Sequence, residues 1–213
     1  MIKLVIFDLD GTLLDTIEDI TYSLNLALQD ANLNPITVDE CKYMVGSGVK
    51  VLIERAIPNE KYYAKVYDKY MYYYEKYQKN KTKPYPFIID TLKAIKDENL
   101  KLAVLSNKPH DDALRVVDYY FGLDKFDLVL GKKENNRRKP HIDGCLEILD
   151  TLKINNNEVL YVGDTNIDME TANNAAFIAV AVSWGFRLAS ELKGYDYLID
   201  NPKELLKIIE ELK

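Results

Sequence analysis

The chain has 213 residues, 47% of them hydrophobic and 29% charged, with a formal net charge of -6. That composition suits one large folded unit, or one unit carrying an insertion, and the acidic balance argues against a nucleic-acid surface. No apolar stretch approaches the roughly 20 residues that a bilayer span requires, so no membrane partner is expected.

The first apolar run, LVIF (4–7), reads as a buried strand. It stops at Asp8, too short for a secretory signal. Cys41 and Cys145 lie far apart without metal-type spacing and read as reduced, buried thiols, so a cytoplasmic location is expected. Asp10 stands two positions after Asp8. In an extended segment, residues two apart point the same way, so the two carboxylates converge beyond the strand. Paired carboxylates repel, and either a shared proton or a hard cation relieves them. Gly11 and Thr12 follow, and Asp15 reads as a turn or helix cap.

Residues 15–84 read as all-helical. Ile17, Ile20, Leu24, Ala27, Leu28 and Ala31 share one helical face, ended by Asn34-Pro35. Thr37 and Glu40 form a capping-box pattern that starts a second helix. Gly46-Ser47-Gly48 interrupts it, Val49 to Ile57 resumes, and a long helix runs from about Glu60 to Lys79. Tyr63, Tyr67, Tyr70, Tyr74 and Tyr77 follow a 4-3-4-3 spacing that puts them on one stripe. The stripe is expected to pack this small bundle, with a wall facing substrate or a dimer contact as alternatives. Leu14 to Thr16 and Lys81 to Pro86 read as the linkers.

Beyond the second linker, helical patterns at 88–99, 112–121 and 142–152 alternate with apolar runs at 102–105, 127–130, 159–162 and 178–182. Near-continuous apolar strands alternating with helices indicate an α/β fold, a parallel Rossmann-like sheet with helices on both faces. The expected division is a core of residues 1–14 and 85–213, with the helical segment 15–84 inserted after the first strand. Ligands of such sheets bind beyond the carboxyl ends of the strands, where Asp8, Ser106 and Asp164 each follow an apolar run. Ser106 and the Asn107 backbone N–H can hold a phosphoryl oxygen. Lys139 offers an ammonium, with Lys132, Lys133, Arg137 and Arg138 as neighbouring competitors. His110 and His141 read as loop or helix-terminus residues, and Asp143 as a cap. A lone serine or aspartate after a strand is usually only a cap, so it is the recurrence of these residues together that carries weight.

FDLDGTLLDT, LSNK, KP and GDTNID, in this order, resemble the haloacid dehalogenase superfamily of phosphatases. The helical insertion is similar to that family's small cap domain. VGSG (45–48), PYP and VSWGF (182–186) bring the chain closest to its phosphoglycolate phosphatase group. The resemblance implies a Mg²⁺-dependent phosphatase acting on a small phosphorylated metabolite through an aspartyl-phosphate. Asp8 is then the nucleophile and Asp10 the acid and base. Mg²⁺ is held by Asp8, the Asp10 backbone carbonyl and Asp164. Asp168 supports the metal shell or orients Lys139. Ser106, Asn107, Lys139, Gly11 and Thr12 surround the phosphate. The cap loop Gly46, Ser47 and Gly48 is expected to touch substrate, and Lys50 to meet a substrate carboxylate. The KPHID sequence departs from relatives that carry a second proline after KP, which leaves the choice of Lys139 over its basic neighbours open.

Other readings compete. A pyrophosphatase needs only the phosphate site and the metal. A phosphosugar mutase would carry a basic residue beside the cap glycines, where Val49 stands. A receiver module would carry its aspartate after a middle strand of a shorter chain. A non-catalytic phosphate-ligand binder would have lost catalytic residues that are all present here. The sequence leaves the physiological substrate open, and leaves monomer and homodimer equally open.

Overall fold

Strand β1 (Leu4–Phe7) is buried on both faces. Val5 and Phe7 join one hydrophobic cluster, and Leu4 and Ile6 join another. Alternate side chains of a strand point to opposite faces, so a strand without polar positions must be covered on both sides. The computed structural model describes residues 1–212.

After β1 the chain makes a tight turn and a two-residue strand, β2 (Leu14–Asp15). Four helices follow: α1 (Ile17–Asp30), α2 (Val38–Met44), α3 (Val49–Ala56) and α4 (Tyr63–Tyr77). The Thr37–Glu40 capping box starts α2, with both reciprocal bonds formed. The expected face of α1 is buried with Cys41, Leu52, Ile53, Val66, Tyr70 and Tyr74 in a third cluster of its own. A short β3 (Lys83–Pro84) brings the chain back, pairing antiparallel with β2. Asp15 is therefore a strand residue rather than a helix cap. Buried Asp19 accepts bonds from the backbone N–H groups of Lys81 and Thr82 and from the Thr82 hydroxyl, which ties the start of α1 to the return linker.

The remaining elements alternate: α5 (Ile88–Asp97), β4 (Lys101–Pro109), α6 (His110–Phe121), β5 (Leu128–Lys132), α7 (Asp143–Leu152), β6 (Val159–Gly163), α8 (Asn166–Asn174), β7 (Ile178–Val182), β8 (Tyr197–Ile199) and α9 (Glu204–Glu211). Six strands form a parallel sheet in the order β5-β4-β1-β6-β7-β8. Residues of α5, α6 and α9 share the cluster on one face, and residues of α7 and α8 the cluster on the other. The α/β architecture expected from the sequence is thus present. β8 was not foreseen. No described helix is long and apolar enough to cross a membrane.

The strand order fixes where chemistry can occur. β1 lies between β4 and β6, in register Phe7↔Val104 and Phe7↔Val162. The residues that follow these three strands therefore emerge side by side, although they lie up to about 150 positions apart.

Candidate active site

Asp8 leaves β1 with its N–H bonded to the Val162 carbonyl at 2.9 Å, which continues the sheet for one residue past the strand. Its carboxylate meets that of Asp164, at the end of β6, and that of Asp168, in the first turn of α8. Each offers an oxygen, and these atoms lie within 4.8 Å of one another; all three residues are buried. Burial, the Asp168 charge and the Asp164 charge push the Asp8 carboxyl well above the usual range, against the pull of Lys139. Asp164 is raised to about 7, by burial first and by Asp168 second.

Lys139 is the cation among them. Its Nζ lies 2.8 Å from Asp8 Oδ1, 2.6 Å from Asp168 Oδ1 and 3.0 Å from the Leu105 carbonyl, so its three donors are matched by three acceptors. Burial works against its charge, but Asp168 and Asp8 outweigh burial and hold the ammonium well above the usual lysine range. The competing basic residues turn elsewhere. Lys133 pairs with Glu147, Arg137 with Asp143, and Arg138 donates to the Ser47 carbonyl. Lys132 bonds the carbonyl of Lys133. Asp168 closes a capping box with Thr165 through its other oxygen, so the helix start that fixes Asp168 also orients Lys139.

Asp164 is held by two donors. Thr12 Oγ1 donates to Oδ1 at 3.1 Å, and the Phe186 N–H donates to Oδ2 at 2.8 Å. Gly11 and Gly185 make the space: a Cβ on Gly11 would lie 2.7 Å from Asp164 Cγ, and one on Gly185 2.6 Å from it. Gly11 also has φ +90°, a conformation that L side chains rarely adopt. Thr12 therefore supports Asp164 with its hydroxyl and does not line the cavity described next.

A cavity of about 50 Å³ opens on Asp8 and Asp10, with Ser106, Asn107, Lys108 and Pro109 from β4 and Asp112 from α6 on one side. Its other walls are Ile20, Val45, Gly46, Gly48, Val49, Leu52, Tyr70 and Tyr74 from the helical segment. Since one water occupies about 10–15 Å³ by this measure, the space takes only a few water-sized groups. The tyrosine stripe thus packs the bundle and also supplies a wall. Tyr70 and Tyr74 are buried with their rings stacked at 5.4 Å, while Tyr77 sits edge-on to Tyr22.

Ser106 and Lys108 lie two apart on β4 and line the cavity together, as strand alternation requires. The Ser106 hydroxyl accepts from the Lys108 N–H at 3.2 Å. The Asn107 side chain turns to two loops at once. It donates to the Gly46 carbonyl at 2.9 Å and the Lys139 carbonyl at 3.2 Å, and accepts from the Lys139 N–H at 2.8 Å. Asn107 thereby ties the glycine loop of the helical segment to the loop that carries Lys139. Further bonds run from Arg187 to the carbonyls of Lys42 and Val45, and from Tyr43 to Glu191.

Two expectations need correction. Lys50 is exposed, lies 3.8 Å from Glu54 on the outer face of α3 and does not line the cavity. As the second residue of a helix whose Val49 and Leu52 face inward, it points to water. Ser47 likewise stays out of the cavity wall while Gly46 and Gly48 enter it. Lys108, in turn, was missed although it sits in LSNK. It is buried, 3.1 Å from Asp10 Oδ2 and 2.8 Å from the Tyr74 hydroxyl. Asp10 Oδ1 is buried with no partner. The i, i+2 relation to Ser106 was the signal available in the sequence.

Comparisons with known proteins point to one family. The family model described as haloacid dehalogenase-like hydrolase matches residues 5–182. The phosphoglycolate phosphatase of Aquifex aeolicus is 31% identical over 214 residues, covering 98% of this chain and 97% of that protein. A candidate pyrophosphatase, PpaX, of Caldanaerobacter subterraneus is 32% identical, covering 98% of this chain and 95% of that protein. Among solved structures, a candidate phosphoglycolate phosphatase from Lactobacillus delbrueckii superposes with a TM-score of 0.92 at 33% identity, covering 97% of this chain and 98% of that one.

Proposed function

The chain belongs to the haloacid dehalogenase-like hydrolases and is a phosphatase, and on that footing we propose that it hydrolyses a small phosphate monoester of the phosphoglycolate type, with Mg²⁺, through an aspartyl-phosphate on Asp8. The observation that carries this reading is the buried meeting of Asp8, Asp164 and Asp168 behind a small cavity that Asp8 lines, with one oxygen of Asp8 held by Lys139. Residues 15–84 act as the cap in this proposal.

The donor set fits a hard divalent cation. It consists of carboxylate oxygens, close together and buried, with Lys139 balancing only part of their charge. Asp8 and Asp164 would hold the ion, with the Asp10 backbone carbonyl. Bound there, Mg²⁺ would neutralise charge between the carboxylates and a phosphate dianion.

The chain's own residues divide the remaining work. Lys139 fixes Asp8 Oδ1, which leaves Oδ2 outside the ion pair and available to attack phosphorus. The P–O bond to the leaving group breaks as the bond to Asp8 forms. Asp10 gives a proton to the departing oxygen and later takes one from the water that cleaves the acyl phosphate. Its buried, unpartnered Oδ1 supplies a site for that proton. Ser106, the Asn107 N–H and Lys139 stabilise the phosphoryl oxygens as charge shifts. The apolar wall from the cap, with Tyr70 and Tyr74, excludes bulk water during the first transfer.

The test is phosphate release from p-nitrophenyl phosphate. Activity is expected with Mg²⁺, lost in chelator and restored by added Mg²⁺; full activity in chelator rules the metal-assisted route out. Gly11→Ala provides a second check. Its Cβ would displace Asp164, so the Mg²⁺ concentration for half-maximal activity should rise about tenfold or more, in the range seen when metal-site supports are lost. An unchanged Mg²⁺ requirement would remove Asp164 from the metal site. Inorganic pyrophosphate is a second reading, prompted by the similarity to the PpaX protein. Including pyrophosphate in a panel of small esters ranks the two by kcat/KM.

A further inference from the structure

Lys108 has no part in the phosphate chemistry described above, yet it is 8% exposed and lines the cavity. An ammonium carries three protons. Two are directed to Asp10 Oδ2, at 3.1 Å, and to the Tyr74 hydroxyl, at 2.8 Å. The ammonium also sits 4.6 Å from the Tyr74 ring centroid. Burying a lysine is costly, and a lysine used only to support a fold is normally matched on every donor. Here one donor is left over at the wall of a cavity whose cap-side groups are mostly apolar and whose one further carboxylate on the sheet side, Asp112, is paired with Arg115.

Its position gives that donor a direction. Lys139 attends Asp8, the nucleophile, while Lys108 attends Asp10, which serves the leaving group. An anion recognised by Lys108 therefore belongs to the alcohol half of the ester. The cavity is small, so that anion lies close to the ester oxygen. A carboxylate one carbon away meets both conditions: it shares a single carbon with the ester oxygen, so it reaches Lys108 while the oxygen stays beside Asp10. Lys50, the other cation of the cap-side surface considered for this role, lies outside the cavity.

We infer that Lys108, steadied by the Tyr74 hydroxyl, is the residue that selects substrates bearing a carboxylate next to the phosphate ester. This rests on the monoester phosphatase reading and adds to it the residue that sets preference. Tyr74 comes from the helical segment and Lys108 from the sheet. The same ammonium therefore joins cap and core across the bound alcohol group, so an acidic substrate also strengthens closure.

The experiment compares 2-phosphoglycolate with ethyl phosphate, which has the same chain length without the carboxylate. The wild type should prefer 2-phosphoglycolate by about 100-fold in kcat/KM, the scale of one charge-assisted hydrogen bond. Lys108→Met should cut that preference at least about tenfold, mostly through KM, and Lys108→Arg should restore part of it. Should Lys108→Met fail to fold, the wild-type preference and Lys108→Gln carry the test, with circular dichroism as the folding check. Equal losses on both esters would reduce Lys108 to a support for Asp10 and overturn the inference. A wild type that hydrolyses ethyl phosphate but shows no preference also overturns it, and leaves the phosphatase reading intact. If neither ester is hydrolysed with Mg²⁺, the parent reading falls, and this one with it.

Discussion

Asp8→Asn should lower phosphate release from p-nitrophenyl phosphate by at least about 10⁴-fold, the scale seen when a covalent nucleophile is removed. The amide matches the carboxylate in size but cannot attack phosphorus. The protein should nonetheless fold. Asp8 sits in a buried cluster with Asp164 and Asp168, and its carboxyl is already pushed well above the usual range by burial and by Asp168. Removing one of three crowded charges relieves repulsion, while Lys139 keeps Asp168 as its partner at 2.6 Å. The expected pair of results is therefore an inactive enzyme with wild-type or higher thermal stability. Acid-quenched reactions should trap a phosphoenzyme in the wild type and none in the variant. A variant that retains more than about a tenth of wild-type activity would deny Asp8 the role of nucleophile, because no other route retains that much when bond formation is lost.

The sheet was legible wherever strands were long and apolar. LVIF (4–7) and IAVAV (178–182) are strands over those same residues. β8 escaped because only Tyr197, Leu198 and Ile199 pair, between Asp196 and Asp200, and an edge strand of that length leaves little apolar signal. The β2–β3 pair escaped for a related reason: two residues of each linker pair, one of them proline. Site chemistry was legible where residue type and strand position agreed. The convergence of Asp8, Ser106 and Asp164 was legible because each follows an apolar run, and the strand order brings those runs side by side. Lys108 was not found because a lysine after a strand reads as a solvated residue. Only the partners Asp10 and Tyr74, contributed by distant segments, reveal it as buried. Lys50 shows the converse. Its nearness to the glycine loop in sequence suggested a contact, but the turn of α3 carries it outward to Glu54. Proximity along a helix does not fix direction; the inward faces of Val49 and Leu52 do.

The crowding of carboxylates also sets a pH dependence that differs from that of most folded proteins. Asp164 has its folded pKa raised to about 7 from the ordinary aspartate value of 3.8, by burial and then by Asp168. The folded metal-free protein therefore binds this proton more tightly than the unfolded chain does. The resulting stability is fully present below about pH 4 and is lost as pH rises through about 7. At 1.36 kcal/mol per unit, the loss is about 4 kcal/mol, and Asp8 shifts in the same direction. Lys139 is raised as well, but its contribution is lost only above the ordinary lysine range, so it leaves this window unchanged. Asp143, lowered to about 2 by Arg137, acts only at the acid end. In chelator, the melting temperature should fall by on the order of 10 °C between pH 5 and pH 8. A divalent cation competes with the protons for the same oxygens, so Mg²⁺ should raise the melting temperature far more at pH 8 than at pH 5 and flatten the slope. Asp164→Asn should lessen the slope without metal, since the amide has no proton to lose and only the Asp8 share remains. A metal-free melting temperature that holds steady or climbs across this range would mean that the three carboxylates do not carry the repulsion assigned to them, and the cation site would lose its driving force.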